Sequence, residues 1–297
     1  MLNPATQLSN QLSSWAHVKA ALQGLDALWK LEGDHQGQQQ PVHVENIRGS
    51  YRFEQVGMTL RGQAALRIPE LRIRHGEKIG VLGPIGAGKT TLLRLLSGMY
   101  KPTEGRIWLD DIDLGQLSKP KLAEHTGYLP QDGRLLGGTL RDNLILGLLD
   151  PGDEAILQAA RATGLYDAVI AGHPQGLQLE ISEGGSGLSG GQRQLVNLPR
   201  VFLRRPRIWL LDEPTAGLDR NLEQHVLRAF RSALRPEDTL VLVTHKPELL
   251  ALVDRLIVVA RQQVILDGPS SQVLARLKAG MPMDGAGPQA QTMKAVA

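Results

Sequence analysis

The sequence of 297 residues contains no cysteine. Disulfide bonds and thiolate metal sites are therefore excluded, and the absence suits a reducing compartment such as the cytosol. Aromatic residues make up only 4% of the chain, so the core must be built from Leu, Val, Ile and Ala. No apolar run reaches the roughly 18 residues that would span a bilayer. The N-terminus also lacks a basic segment followed by a short apolar core, so we expect no secretory signal.

The remaining composition is that of a packed globular protein. Apolar residues make up 42% and charged residues 21%, and the net charge is +3. This mildly basic balance is compatible with anionic nucleotides or lipid headgroups but identifies neither. The length fits one large α/β domain or two smaller ones.

The two ends of the chain differ from its centre. Residues 1–32 predict an amphipathic helix, which packs on its own domain or docks on something outside this chain. Residues 33–42 predict a linker, and residues 281–297 a loose tail without periodicity. The helical stripe repeats every three or four residues; its members are Leu8, Leu12, Trp15, Val18, Leu22, Leu25 and Trp29.

The centre contains two kinds of strand pattern. Residues 43–75 show short apolar alternations, which predict antiparallel strands. Further on, continuous apolar segments alternate with helical patterns, which predicts a parallel sheet covered on both faces. These segments are 79–82, 208–211, 240–243 and 256–259. Residues 133–200 lack such strands and predict an inserted helical subdomain.

A glycine-rich segment follows the apolar residues 79–82 and precedes a helical pattern. It matches the phosphate-binding pattern G-x-x-x-x-G-K-[ST], in which glycines let the backbone wrap phosphate oxygens at a helix N-terminus. We expect Lys89 to reach the β- and γ-phosphates of ATP and Thr90 to ligate Mg²⁺; a tight glycine turn without a ligand is the alternative. The predicted nucleotide-binding residues here are Gly83, Pro84, Ile85, Gly86, Ala87, Gly88, Lys89, Thr90 and Thr91.

Two acidic residues end the second continuous apolar segment. Asp212 and Glu213 follow residues 208–211, and the carboxyl ends of parallel strands are where α/β sheets bind ligands. Asp212 can hold Mg²⁺ or its waters. Glu213 is then placed to accept a proton from the attacking water. The alternative is that the two acids cap the next helix, which Pro214 weakly supports.

The segment Leu188-Ser189-Gly190-Gly191-Gln192 resembles the signature of ABC transporter ATPases. It stands between the phosphate loop and the acidic strand, which is its order in that family. The resemblance covers residues of about 43–277. It implies an α/β fold with a P-loop NTPase core, a mainly parallel sheet, an antiparallel β subdomain and the inserted helical subdomain of about 133–200, within an ATPase domain at 43–280.

Further motifs of the family occur in order. Gln131 resembles the Q-loop glutamine, Asp219 lies in a segment similar to the D-loop, and His245 resembles the switch histidine on the γ-phosphate. Leu60 stands at the position that contacts adenine. The resemblance thus implies three catalytic residues, which are Glu213, His245 and Gln131. It implies three Mg²⁺ ligands, which are Thr90, Gln131 and Asp212.

The resemblance also implies a site shared between two chains. In this family, two ATPase domains dimerise head to tail, as a homodimer or pseudo-dimer, and the signature of one covers ATP on the other. Ser189, Gly190 and Gly191 would contact the γ-phosphate at a helix N-terminus, with Gln192 beside them and Asp219 at the same interface. A single chain would then hold two incomplete half-sites.

Among ABC ATPases, the chain most resembles those of type I secretion and peptide exporters, in which membrane and ATPase domains are fused. This implies a transmembrane domain as partner and, reached through it, a periplasmic adaptor and an outer-membrane channel. It implies a location at the cytoplasmic face of the inner membrane and no nucleic-acid partner. The helix at 1–32 is similar to the cytoplasmic end of a last transmembrane helix. Met1 would then begin a shortened chain or the product of a split gene.

The sequence departs from the family at a few positions. Leu60 replaces an aromatic residue and offers no π face to adenine. Asn197 and Pro199 replace small residues in the helix after the signature, and a proline there predicts a lost hydrogen bond and a kink. Glu183-Gly184-Gly185 has glycine where this exporter group has arginine.

Four functions are therefore compared. The leading hypothesis is the ATPase of an exporter for a protein or peptide. The second is a stand-alone ATPase subunit of another transporter. The third, a soluble ABC ATPase of DNA repair or the ribosome, would carry a long coiled-coil insertion or a second cassette, and this sequence has neither. The fourth is a weakly active regulatory cassette, which Asn197 and Pro199 keep open.

Overall fold

The computed structural model describes residues 4–30 and 46–279, in two compact units, Met1–Pro41 and Val42–Ala297. In the first unit, helix α1 spans Pro4–Trp29 and exposes the apolar side chains of Trp15, Leu22, Leu25 and Trp29. The predicted linker at 33–42 and the predicted tail at 281–297 lie outside the described residues. No helix in the two described ranges is long and apolar enough to cross a membrane.

The second unit is built on a ten-stranded sheet within residues 46–279. The strands pair in the order β5-β4-β1-β2-β12-β11-β3-β10-β9-β6. Neighbours from β11 to β6 are parallel, whereas β1, β2, β4 and β5 pair antiparallel. The bounds are β1 Tyr51–Leu60, β2 Gln63–Ile73, β3 Lys78–Leu82, β4 Glu104–Leu109, β5 Ile112–Asp113, β6 Thr126–Leu129, β9 Ile208–Asp212, β10 Thr239–Val243, β11 Arg255–Ala260 and β12 Gln263–Pro269.

Alternate residues of the central strands pack into two separate cores. In β9, Ile208 and Leu210 belong to the first apolar core, while Trp209 and Leu211 belong to the second. Successive side chains of a strand point to opposite faces, so a strand buried on both faces reads as a continuous apolar run. The helices that flank this sheet are α2 Lys89–Leu96, α3 Lys119–His125, α7 Arg220–Ala233 and α8 Ser270–Lys278. The predicted α/β fold class is confirmed.

Residues 133–200 carry short helices and a small second sheet. The helices are α4 Leu140–Leu144, α5 Asp153–Thr163 and the first part of α6 Gly190–Arg204, with a π-helical turn at Tyr166–Ile170. Strands β7 Gly138–Thr139 and β8 Glu180–Ile181 pair antiparallel. The sequence did not predict this pair, because two-residue strands are too short for an alternating pattern. The predicted domain boundaries stay predictions.

Helix α6 continues through Pro199 to Arg204. Pro199 cannot donate a backbone hydrogen bond, yet it is buried and the helix is unbroken on either side of it. The kink expected from the sequence therefore does not interrupt this helix. Packing of the apolar face of α6 against the second core outweighs the single missing bond.

Candidate functional site

The loop between β3 and α2 is held in a shape that requires glycine. A Cβ at Gly83 would collide with the Val259 carbonyl oxygen, and one at Gly88 would lie 2.7 Å from the Ala65 carbonyl oxygen. Gly88 has a φ of 107°, in the region that L-residues rarely adopt. Gly86 also has positive φ, but a Cβ there would meet open space. This glycine therefore marks the side of the loop from which a ligand can approach the backbone.

The two side chains that follow the loop reach opposite walls of the site. The Lys89 ammonium donates to the carbonyl oxygens of Gly83, at 2.7 Å, and Pro84, at 2.9 Å. The Thr90 hydroxyl donates to Asp212 Oδ2 at 2.7 Å. Burial lowers the pKa of Lys89, and the negative charges of Glu213 and Asp212 oppose that shift. The Lys89 ammonium is thus hydrogen-bonded to the loop and is stabilised electrostatically by the two carboxylates.

The acidic pair lies at the carboxyl end of β9, next to the phosphate loop. Asp212 is 1% exposed, and burial raises its pKa although the Thr90 hydroxyl and Lys89 lower it. Burial also raises the pKa of Glu213, against the effect of His245. Glu213 has a φ of 47°. A non-glycine residue in this region is strained, and such strain clusters at active sites.

His245 lies beside Glu213 because their strands are neighbours. Val243 of β10 is in register with Asp212 of β9, so the residues after both strands meet. The distance from His245 Nε2 to Glu213 Oε1 is 3.5 Å. Parallel pairing in this way unites residues that are far apart in the sequence.

Lys246 anchors the loop that carries His245, and the sequence analysis missed it. Its ammonium donates to the Thr215 carbonyl oxygen and to Glu223 of α7. Glu223 is only 8% exposed, whereas the Lys246 side chain is 30% exposed, so the ion pair is desolvated mainly on the glutamate side. The available signal was the position of Lys246 directly after His245.

Gln131 and Leu60 lie at the margins of the site. Gln131 follows β6, the strand next to β9, and its side chain is exposed. Leu60 ends β1, is partly buried, and packs against the first apolar core. Within the described residues, the Gln131 side chain makes no hydrogen bond to the phosphate loop, whereas the core against which Leu60 packs includes Ala87 of that loop.

The signature residues form the N-terminus of α6. The Ser189 hydroxyl accepts from the Gln192 backbone amide, and the Gln192 side chain accepts from the Ser189 amide, which is a capping box. Gly191 lies against Gly217, where a Cβ would be 2.8 Å from the Gly217 carbonyl oxygen. In the described part of the chain, Ser189 has no hydrogen bond to the phosphate loop.

Two further residues connect the signature region to the acidic strand. The Gln194 side chain donates to the carbonyl oxygens of Glu213, at 3.5 Å, and Pro214, at 3.3 Å. Asp219 caps α7 by accepting from the amides of Asn221 and Leu222, each at 2.9 Å. The structure thus places Asp219 at a helix N-cap. The sequence analysis missed Gln194, whose only signal was its place two residues after Gln192.

The residues at this edge fit a nucleotide with Mg²⁺. The Thr90 hydroxyl and the Asp212 carboxylate are the oxygen ligands that Mg²⁺ takes. Within residues 4–30 and 46–279, no group of three or more His, Cys, Asp or Glu side chains could hold a metal by itself. Mg²⁺ characteristically uses one or two carboxylates together with substrate phosphates, so this small donor set suits an ion brought by a nucleotide.

Comparison with known proteins supports the same class. The family model described as ABC transporter matches residues 66–216. The chain is 30% identical over 271 residues to the ABC transporter ATP-binding protein YfiC of Bacillus subtilis, covering 91% of this chain and 44% of that protein. It is 36% identical over 205 residues to the type I secretion system ATP-binding protein PrsD of Rhizobium meliloti, covering 69% of this chain and 35% of that protein.

Two other relatives extend the comparison. The fatty acid ABC transporter ATP-binding/permease protein of Mycobacterium bovis is 33% identical over 234 residues, covering 78% of this chain and 37% of that protein. The solved structure of a bacterial Atm1-family ABC exporter with ATP bound is 30% identical, with a TM-score of 0.73, covering 80% of this chain and 41% of that one. The chain spans about two fifths of the length of these relatives.

The chain belongs to the ABC transporter family and carries its nucleotide-binding ATPase domain. The predicted resemblance, including that to type I secretion ATPases, is confirmed. The roles of the individual site residues stay predictions.

Proposed function

We propose that this chain binds ATP with Mg²⁺ on the loop Gly83–Thr90 and hydrolyses it to drive a membrane exporter. One observation carries the proposal. At the carboxyl ends of the parallel strands β3, β10 and β9, the Thr90 hydroxyl lies 2.7 Å from Asp212, and His245 Nε2 lies 3.5 Å from Glu213. Phosphate binding, metal binding and proton acceptance are thereby adjacent.

The chain's own residues divide the chemistry between them. The loop amides and Lys89 hold the phosphates, while Thr90, Asp212 and Gln131 would hold Mg²⁺. This ion would neutralise charge that develops on the phosphate oxygens. Glu213 accepts a proton as a water oxygen attacks the γ-phosphorus and ADP leaves. Burial raises the pKa of Glu213, which makes it a stronger base than an ordinary glutamate.

The second half of the site comes from another ATPase domain. Within the described residues, Ser189 hydrogen-bonds to Gln192 and not to the phosphate loop of its own chain, and a helix N-terminus binds anions. We infer that Ser189 and the amides at the start of α6 cover ATP on the phosphate loop of a partner, with Asp219 at the same interface. The partner is a second copy or a similar domain.

The cargo we propose is a protein or peptide moved across the bacterial inner membrane. The similarity to PrsD supports this, because that relative is a type I secretion protein. The chain would then work at the cytoplasmic face with a transmembrane domain, and through it with an adaptor and an outer-membrane channel. The mycobacterial relative favours a second candidate, a fatty acid.

Hydrolysis is tested with a matched pair of variants. Glu213→Gln should lower Mg²⁺-dependent phosphate release by about 10²–10⁴-fold, the range for general-base catalysis, while ATP still binds. Glu248→Gln, at an exposed glutamate in the loop after His245, should leave the rate unchanged. An unreduced rate in Glu213→Gln, or no hydrolysis in the unaltered chain, would contradict the proposal.

Cargo is tested separately by exchange of domains. Residues 46–279 replace the ATPase domain of the Rhizobium meliloti relative in one hybrid and of the mycobacterial relative in another. The proposal expects secretion by the first hybrid and none once Glu213→Gln is introduced. Transport by the second hybrid alone would favour the fatty-acid candidate.

A further inference from the structure

A buried polar cluster links helix α6 to the segment that follows Gln131. Its members are Asn197 and Arg200 of α6 and Asn143 of α4, and both asparagines are 2% exposed. The segment they hold is residues 133–139, between β6 and α4. Most side chains around them are apolar, so each polar group in this cluster must find its partner within it.

Among residues 46–279, the oxygens that accept from the Arg200 guanidinium are all neutral. Arg200 donates to the Asn143 carbonyl oxygen at 2.7 Å, to Asn143 Oδ1 at 3.1 Å, to Asn197 Oδ1 at 2.8 Å and to the Arg134 carbonyl oxygen at 3.4 Å. Burial lowers its pKa to about 10. Arg200 is half-buried and has no carboxylate partner in the described part of the chain, so it depends on these dipoles, because a desolvated charge without partners is costly.

Asn197 uses the two ends of its amide differently. Its oxygen accepts from Arg200, while its nitrogen donates to the Gly133 carbonyl oxygen at 3.2 Å and to the Arg193 carbonyl oxygen at 2.9 Å. Gly133 approaches so closely that a Cβ there would collide with the Asn197 amide. One side chain therefore joins α6 to a residue two positions after Gln131.

We propose that Asn197 is a positioning residue that makes residues 131–139 (the Gln131 segment) and α6 (the signature helix) move together. The proposal rests on the proposed function. Gln131 would respond to ATP and Mg²⁺ on its own chain, whereas Ser189, which caps the N-terminus of the same helix α6, would cover ATP on the partner. The bond from Asn197 to Gly133 transmits position between these two half-sites, so its loss should weaken ATP-driven dimerisation more than ATP binding.

Asn197→Asp separates this role from a structural one. Aspartate keeps an oxygen for Arg200, and its added opposite charge should offset the loss of the two bonds that the amide donates to Gly133 and Arg193, so the fold should stay about as stable. Aspartate cannot donate to Gly133, so the link to the Gln131 segment is lost. A residue that only filled space or satisfied Arg200 would tolerate this change.

The test uses the Glu213→Gln chain, which should retain ATP, with and without Asn197→Asp. Three quantities are measured: ATP affinity at a protein concentration too low for dimers, the dimer dissociation constant by light scattering with Mg-ATP, and the melting temperature. We expect the dimer constant to rise by about threefold to tenfold, as for one lost hydrogen bond. ATP affinity should change by less than about twofold, and the melting temperature should stay about the same.

Gly133→Ala provides a second route to the same contact. The new methyl group should displace the Asn197 amide, so Gly133→Ala should weaken the dimer as Asn197→Ala does. The double variant should be no worse than either single one, because both remove the same contact. This pair keeps the proposal testable if Asn197→Asp does not fold.

The outcomes separate the two proposals. If the Glu213→Gln chain binds no ATP or forms no dimer, the proposed function fails. If that chain dimerises and the Asn197→Asp form dimerises equally well, the inference about Asn197 is wrong while the proposed function stands. Additive effects of Gly133→Ala and Asn197→Ala would also overturn it.

Discussion

Two regions of the molecule accommodate buried polar groups in opposite ways. One is the edge of the sheet beside the phosphate loop, here called the phosphate edge, and the other is the signature helix α6. At the phosphate edge, burial raises the pKa values of Asp212, which is buried, and of Glu213, which is half-buried and has a strained backbone. In α6, the buried polar groups around Arg200 are matched by neutral dipoles. The carboxylates of the phosphate edge favour a cationic ligand, whereas the polar groups around Arg200 are hydrogen-bonded to one another within the chain.

This difference indicates where each region obtains its stability. The phosphate edge carries a cost that Mg²⁺ and ATP would relieve, as expected of a preorganised site. The signature helix needs no ligand to be ordered, because its cap and its polar cluster lie in the same chain. The function of α6 would therefore depend on how the helix is positioned. Four predictions test this contrast between the phosphate edge and α6.

The largest effect on ATP binding is expected for Lys89→Ala. Removal of the ammonium should weaken ATP binding by about 30-fold or more, because truncating one partner of a desolvated charge pair costs about 2 kcal/mol or more. Titration with a fluorescent ATP analogue measures this. The control is Lys278→Ala, at an exposed lysine at the end of α8, which should bind as the unaltered chain does. Equal affinities would remove Lys89 from the site.

The pH dependence of hydrolysis should come next. Because the folded-state pKa of Glu213 is raised by burial, acidification should protonate the base, and turnover should fall at a higher pH than the ordinary value of about 4.3 for glutamate suggests. The fall approaches tenfold per pH unit below the raised pKa. Phosphate release is measured across pH, with melting temperature as a control for unfolding. The residual rate of Glu213→Gln should lack this limb.

Asp212→Asn should raise stability while it removes Mg²⁺-dependent hydrolysis. The raised folded-state pKa means that the ionised carboxylate destabilises the fold, fully above that pKa and not at all below the unfolded value of about 3.9. The amide should therefore raise the melting temperature near pH 8 by about 2–4 °C per kcal/mol gained. The gain should vanish on acidification. Asp167→Asn, at an exposed aspartate, should show neither effect, and a lower melting temperature in Asp212→Asn would contradict the account.

The smallest effect is expected for Leu60→Tyr. An aromatic ring can stack on adenine, and such stacking contributes about 1–3 kcal/mol per base in other proteins. Leu60 is only partly buried, so a larger side chain can be accommodated. We expect ATP to bind several-fold more tightly, measured by the same titration, whereas Leu60→Met should change little. If tyrosine brings no gain, Leu60 does not contact the base.

The sequence predicted what local order determines. Lys89 and Thr90 follow a glycine-rich turn, and Asp212 and Glu213 end a continuous apolar strand, so each was visible within a few residues. The contact of Asn197 with Gly133 joins positions far apart in the sequence, and neither residue type signals it. The sequence indicated a kink at Pro199; α6 continues through this position and buries its apolar face beyond it, and the kink itself stays a prediction.

The most direct test of the central claim follows the mass of the Glu213→Gln chain by light scattering with and without Mg-ATP. The account predicts conversion of monomer to dimer. Ser189→Asp, introduced into the Glu213→Gln chain, should prevent the dimer without preventing ATP binding. Aspartate still caps the helix, but its negative charge repels the γ-phosphate of the partner's ATP. Ser118→Asp, at the cap of α3, should dimerise normally. If ATP binds and the mass of Glu213→Gln does not change, or if Ser189→Asp dimerises equally well, the shared site is contradicted.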